Sequence, residues 1–352
     1  MKRMPPFNRP PNVRPHDGPI FIDMMSVRGH VNLNRFYLSQ FTDLNPVLYI
    51  SSDLRCAFSE SSTRSLGPNP CSARWGCRVK TALRVLRVLF QERPDQVFFL
   101  SYDLATFPLI THVAALLGAK IVCLEHNTAP RSIAKRLSHI LMAKFVTRLV
   151  YAPHIQKIYN QAGIETIYVP HPCVHPATKT EVSKETRPII DYRGRGFERM
   201  AFCPSGTVTL EAVEAIAEHD RTTLFVCKNA NHSRLANVIC RDYFEDYDGM
   251  IDQSDFICLP FELEYKVSGP AFEAIAMGKP ILLLPNAFGK YMKSVFGDSI
   301  SISDSRFPFA TEFTHVSEFN DSIIEAISKC LEGNFTDSPL FNSSTRYSSS
   351  TK

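Results

Sequence analysis

Residues 255–285 read DFICLPFELEYKVSGPAFEAIAMGKPILLLP, and the fold turns on this stretch. An apolar run, a polar connection, a helix-forming segment and a second apolar run follow in order, the plan of a strand–helix–strand unit. Ser268-Gly269-Pro270 opens the helix, since Ser suits the N-cap and Pro the first turn. Gly278-Lys279-Pro280 ends it and launches a run of one Ile and three Leu. A glycine at the helix mouth lets a ligand approach the backbone, where free N–H groups and the helix dipole favour an anion. One turn further in, Glu273 is placed to accept hydrogen bonds from hydroxyls. Diphosphate at the helix end plus a carboxylate for sugar hydroxyls describes a nucleotide-sugar site. The plainer alternative is an ordinary strand–helix–strand unit in which Glu273 only complements the dipole.

The run Ser268-Gly269, Glu273-Ala274 and Gly278-Lys279-Pro280-Ile281, led in by Tyr265-Lys266-Val267, resembles the donor-site signature of GT-B glycosyltransferases. It is most similar to the retaining enzymes related to glycosyltransferase family four, the group 1 type. The resemblance implies an α/β fold of two Rossmann-like domains facing across a cleft, with acceptor on the first and donor on the second. It also implies a donor set comprising Glu264, Tyr265, Lys266, Ser268, Gly269 and Glu273. One departure stands out. The family often carries two Glu with seven residues between, but here Tyr265 stands eight positions before Glu273. Glu264 is one position out of register and Glu262 three. GT-B enzymes generally bind the leaving phosphate with protein groups and helix dipoles, so neither metal nor cofactor is expected. The nucleotide-diphosphate sugar is a co-substrate.

At 352 residues the chain is long enough for two α/β domains, each with its own core. No apolar run approaches the roughly 18 residues that cross a membrane. The first 18 residues are rich in Pro and Arg and lack an apolar signal-type core, so they read as a flexible basic arm. Ten Cys occur without a CxxC or a zinc-type spacing, and several (Cys123, Cys203, Cys227, Cys258) lie inside apolar runs as small core residues. A reducing cytoplasm is the natural compartment. The net charge of +4 conceals an asymmetry: residues 1–170 carry 21 Lys+Arg against 10 Asp+Glu, a balance of +11, and the rest of the chain −7. The first half is therefore suited to an anionic surface or substrate.

Strand-like and helix-like segments alternate from about residue 19 to 330, the pattern of a doubly wound parallel sheet repeated twice. The expected order is a first domain over 19–170, a linker over 171–198, a second domain over 199–331, and a disorder-like tail over 332–352. A long loop is expected at 51–73, helices at 132–146, 231–240 and 315–331, and strands at each apolar run. Ligands of such sheets sit beyond the carboxyl ends of the strands, and candidate residues are sought there. Gly29-His30 follows the first strand and, by the resemblance, forms the loop that approaches acceptor and phosphate. Glu125-His126-Asn127 ends the run KIVCLE; many relatives have a His here that contacts the transferred sugar. Glu125 is either a general base for an inverting reaction or turned away from the cleft. The Arg and Lys that hold the diphosphate in retaining relatives are missing from 204–212; Lys228 is either the compensating cation or a surface Lys in a loop, and Lys266 beside the donor helix is the other candidate.

Two basic amphipathic segments belong to the first half. One sets Lys80, Arg84 and Arg87 beside Val79, Leu83, Leu86 and Phe90, and the other sets Arg131, Lys135, Arg136 and Lys144 beside Ile133, Leu137, Ile140 and Leu141. They are either surface helices with a solvated charged face or a docking face for anionic lipid headgroups. No nucleic-acid motif accompanies them. Asp246-Tyr247-Asp248 matches the metal-holding Asp-x-Asp of another transferase class but lacks its preceding apolar strand. His171-x-Cys173-x-His175 lacks a fourth zinc ligand. The expectation is a glycosyltransferase that acts on a glycan or lipid-linked acceptor in surface-polysaccharide assembly, cytoplasmic or peripheral on the inner membrane face. A non-catalytic partner subunit and a sugar-nucleotide epimerase are the alternatives.

Overall fold

The structure is a computed structural model, and it describes residues 18–58, 62–68, 75–126, 128–142, 144, 146–174, 190–205, 210–260, 264–302 and 320. The basic arm before Gly18, the tail, Asn127, His175, Glu262 and, apart from Asn320, the helix expected over 315–331 lie outside the described residues. The chain divides into two units, Met1–Pro170 with Asp321–Lys352, and His171–Asn320. Each is built on a wholly parallel sheet.

Unit 1 runs β1 (Ile20–Asp23), α1 (Val31–Gln40), β2 (Val47–Ile50), β3 (Thr63–Ser65), α2 (Trp75–Glu92), β4 (Gln96–Ser101), α3 (Phe107–Leu116), β5 (Lys120–Leu124), α4 (Ile133–Leu141), β6 (Val146–Val150), α5 (Pro153–Gln161) and β7 (Ile167–Tyr168). Its sheet order is β3-β2-β1-β4-β5-β6-β7. The first strand is central because its four residues are wholly buried and can be covered on both faces. Aromatic side chains pack strand on strand and sheet on helix: the Phe21 ring of β1 lies 5.3 Å from Phe98 of β4, and Phe99 meets Phe107 of α3 edge-on at 4.7 Å. The expected loop at 51–73 contains β3, which pairs beside β2 at the sheet edge.

Unit 2 runs β8 (Arg199–Cys203), α6 (Leu210–His219), β9 (Thr223–Lys228), β10 (Val238–Arg241), α7 (Tyr247–Gln253), β11 (Phe256–Leu259), α8 (Gly269–Ala276), β12 (Ile281–Leu283), α9 (Ala287–Phe296) and β13 (Ile300–Ile302). The sheet order is β10-β9-β8-β11-β12-β13. The helix expected at 231–240 is corrected: 238–241 is the edge strand β10, paired in register with β9. Both sheets reverse direction beside their first strand, between β1 and β4 and between β8 and β11. Those switch points are where such folds open a crevice.

The stretch 255–285 folds as its residues dictate. Gly278 takes a φ of 68° and closes α8: its N–H reaches the Ile275 carbonyl at 3.0 Å, and the Lys279 N–H reaches Ala274 at 2.9 Å. This double closure favours glycine because the left-handed residue carries no Cβ. Asn286 then caps α9 by accepting from the Gly289 N–H at 2.9 Å. A Cβ at Gly289 would stand 2.2 Å from the Leu284 carbonyl oxygen, so no larger residue fits there without a backbone shift.

Candidate functional site

At the switch point of unit 1, β1 ends on Asp23 and β4 on Ser101. Both are buried, and the Ser101 hydroxyl donates to the Asp23 carboxylate. Asp23 also accepts from the Ser26 N–H at 2.9 Å and from Asn34 Nδ2 at 2.7 Å. Ser26 sits in the left-handed region at φ 46°, a strained state for a non-glycine residue. Its hydroxyl donates to the Asp23 carbonyl and accepts from the Ser51 N–H, which holds that conformation in place. This pinned loop carries Gly29 and His30. Nothing lies within 4 Å of a Cβ built on Gly29, so the fold leaves open space at this backbone.

The His30 ring stacks on His126 with centroids 4.6 Å apart and planes at 27°. Two residues that sequence placed on separate strand ends are thus brought together. The Tyr151 ring lies 5.3 Å behind His126, and its hydroxyl meets that of Tyr37 at 3.1 Å. Burial holds the His30 imidazole below its usual value, with the Asp23 charge opposing the shift in part.

Of the two roles open to Glu125, the contacts favour the internal one: it is buried, and its carboxylate is the common acceptor of three hydroxyls, Tyr102, Thr128 and, at 3.0 Å, Tyr159. Burial, reinforced by the Glu125 charge, pushes both phenols well above their ordinary values, so they remain donors. The carboxylate thus anchors the end of β5 to α5 from inside.

In unit 2, α8 opens at the switch point after β11. Ser268 is its buried N-cap residue, and its side chain makes no capping bond. Pro270 occupies the first turn, and nothing lies within 4 Å of a Cβ built on Gly269. The helix mouth is open in the way an anion requires. Glu273, one turn in, accepts from the Tyr247 hydroxyl at 3.2 Å. Burial raises its carboxyl to about 7, the nearby Asp248 charge adds to this, and the Tyr247 hydrogen bond offsets part of it. Tyr247 is held by its edge-on contact with Phe202 of β8, at 5.8 Å. Asp246 caps α7 through the Gly249 N–H at 2.9 Å, so the Asp-Tyr-Asp run is a helix start.

Behind α8, the His171 ring stacks on Phe272 at 4.4 Å, and Cys173 exchanges backbone hydrogen bonds with the Asn320 amide. Lys228 ends β9, half-buried and opposite Arg241, two strands away from β11. Glu264 is exposed on the approach to α8, while Tyr265 and Lys266 are half-buried there. Sequence reading passed over Asp23 although it obeys the strand-end rule that selected Glu125. Tyr247 carried no signal of its own, since its role depends on α7 lying across Glu273. A cavity of about 650 Å³ lined by Arg35, Thr42, Phe58 and Arg64 reaches Val47, the first residue of β2, so it includes the opposite end of the strand from the Asp23 cluster.

No family model and no curated protein matches the sequence. In three dimensions, HepE from Anabaena in complex with UDP-glucose matches with a TM-score of 0.57 at 11% identity, over 89% of this chain and 90% of its own. The fold is GT-B. WaaG, a glycosyltransferase involved in lipopolysaccharide biosynthesis, matches at 0.52 and 13% identity, over 89% of this chain and 91% of WaaG. A UDP-N-acetylglucosamine 2-epimerase matches at 0.51 and 11% identity, over 93% and 98%. At such identities the likeness is one of architecture.

Proposed function

We propose that this GT-B protein is a glycosyltransferase that takes a sugar from a nucleotide-diphosphate donor. The observation that carries the reading is the open mouth of α8 at Gly269 with Glu273 one turn inside. The diphosphate lies against the α8 N-terminus, where backbone N–H groups and the dipole bear its charge. Ser268 and Lys266 flank it, Tyr265 and Glu264 border the sugar, and Lys228 supplies a second cation. Glu273 accepts hydroxyls of the nucleotide, a task its partial burial strengthens. On unit 1, His126 with His30 and Gly29 is the sugar-contacting half-site of this reading. The leaving charge is stabilised by groups already in place, so the reaction needs preorganisation and no metal. A glycan or lipid-linked acceptor in surface-polysaccharide assembly suits this reading, and the likeness to WaaG and to HepE with UDP-glucose supports it.

Calorimetric titration with UDP, GDP and their sugar conjugates, beside Glu273→Ala, tests the donor site. One nucleotide should bind at micromolar Kd and lose binding in the variant. No binding by any nucleotide refutes the enzyme reading and favours a partner subunit. The epimerase that shares this architecture supports a second reading. Turnover of a nucleotide sugar with no acceptor present would select it.

A further inference from the structure

The outward surface of unit 1 inverts the usual amphipathic rule. In α4 and its exit the buried positions are His139 and Met142, with Lys135 and Ser138 half-buried, an i, i+3, i+4, i+7 set that forms the inward face. The large apolar side chains point the other way: Ile133 is 88% exposed, Ile140 62%, Leu141 53% and Leu137 52%. This attitude is fixed by specific contacts. His139 Nε2 lies 2.8 Å from the Thr128 carbonyl oxygen, its ring meets Tyr159 edge-on, and Arg148 donates to the His139 carbonyl. Rolling α4 to bury its leucines would break all three.

Neighbouring helices extend the same surface. Next to α4, α3 exposes Leu109 and Leu116 at 59% and 71%, and His112 Nε2 lies 2.8 Å from the Leu141 carbonyl oxygen. Packed against α3, α2 exposes Lys80, Leu83, Arg87 and Phe90 along one line. Nine of the twelve exposed large apolar side chains among the described residues stand on these three helices, so their exposure is concentrated, not scattered. The charge is equally one-sided. Residues 75–92, 107–120 and 131–150 hold ten Lys or Arg against the single acid Glu92; Arg148 is buried and Arg78 pairs with Asp103, which leaves eight cations. A second copy laid on this face would set cation against cation, and a bare protein groove would leave them unanswered.

We propose that this face seats the protein on an anionic phospholipid bilayer. Ile133, Leu137, Ile140 and Leu141 enter the acyl boundary, while Arg131, Arg136 and Lys144 meet headgroup phosphates. The inference stands apart from the sugar-transfer reading, because it uses no residue of either half-site. No described helix is long and apolar enough to span a membrane, so the contact is in-plane.

The test is co-sedimentation of the full chain with phosphatidylcholine vesicles, with and without phosphatidylglycerol, beside analytical ultracentrifugation of the protein alone. Binding should require the anionic lipid and weaken with salt. Ile133→Ser with Leu137→Ser should weaken it about tenfold or more and leave the thermal unfolding curve unmoved. Arg131→Glu with Arg136→Glu should weaken it several-fold and flatten the salt dependence. Equal binding to neutral vesicles, or binding unaffected by the α4 variants, overturns the proposal. So does a dimer that the serine variants dissolve, or a monomer that ignores both vesicles.

Discussion

Gly269 and Gly29 are alike in one physical respect: neither is required by the fold at its own position. Neither takes a positive φ, and a methyl group at either would meet nothing. There is room for a ligand to approach the backbone at either. Gly269→Ala should therefore leave stability unchanged or raise it by about 0.5–1 kcal/mol. Nucleotide affinity should fall about tenfold, because the methyl group occupies the phosphate approach. Calorimetry beside chemical denaturation separates the two effects, and unaltered affinity would place the phosphate elsewhere. Glu125 is the opposite case, a residue whose whole use is internal. Glu125→Ala removes the acceptor of three interior hydroxyls, of which only Thr128 and Tyr159 can still bond each other, and should cost about 2–3 kcal/mol. Turnover per folded molecule should hold. A collapse of turnover in a protein that still unfolds at the parental denaturant concentration would restore the base role.

Elements differed in how plainly they could be read. Central strands such as β1, β4, β9 and β11 are buried on both faces and appear in sequence as unbroken apolar runs. Sequence reading missed β3, β10 and β13, and each stands at the edge of its sheet. An edge strand needs apolar residues on one side only; β3 buries Thr63 alone, and β10 buries Val238 alone. Such short mixed segments carry no periodic signal against which to set a helix. The α9 segment was legible from Asn286 onward but was passed over. Helix α4 teaches a different limit. Periodicity shows that two faces exist, yet the choice of inward face was made by contacts with Thr128, Arg148 and Tyr159, all outside the helix. The half-sites divide similarly: Gly269 and Glu273 announce themselves locally, whereas the His30–His126 stack and the Tyr247 bond exist only once the sheets assemble.

Across the whole molecule the two units should respond to pH with opposite signs. In unit 2, Glu273 titrates near 4.5 when unfolded and about 7 when folded. Between those values the folded state holds a proton that the unfolded chain has released, so stability falls as pH rises through that window. In unit 1, burial lowers His30 beneath 6.5, so the unfolded chain takes up a proton that the folded state refuses and stability falls as pH drops. Glu273→Gln should thus be more stable than the parent at pH 8, by on the order of 2 kcal/mol, with the advantage gone in acid. His30→Asn should retain more of its stability at pH 5.5. Thermal unfolding of the three proteins at both pH values checks this, and parallel curves would remove the role assigned to either group.

One feature of the sheets bears on how the chain is made. Every strand pairing among the described residues is parallel, and each sheet begins near its centre. Ile20 of β1 pairs with Val97, and Ala201 of β8 with Phe256. A ribosome therefore releases each central strand long before its second neighbour exists, with a row of unpaired amides and an apolar face on show. Folding that waits on such distant pairings is slow, and truncated or stalled chains are the ones that aggregate. Fragments cut within either unit will be insoluble for this reason, while a cut at Pro170/His171 falls after all seven strands of the first sheet and before the first strand of the second.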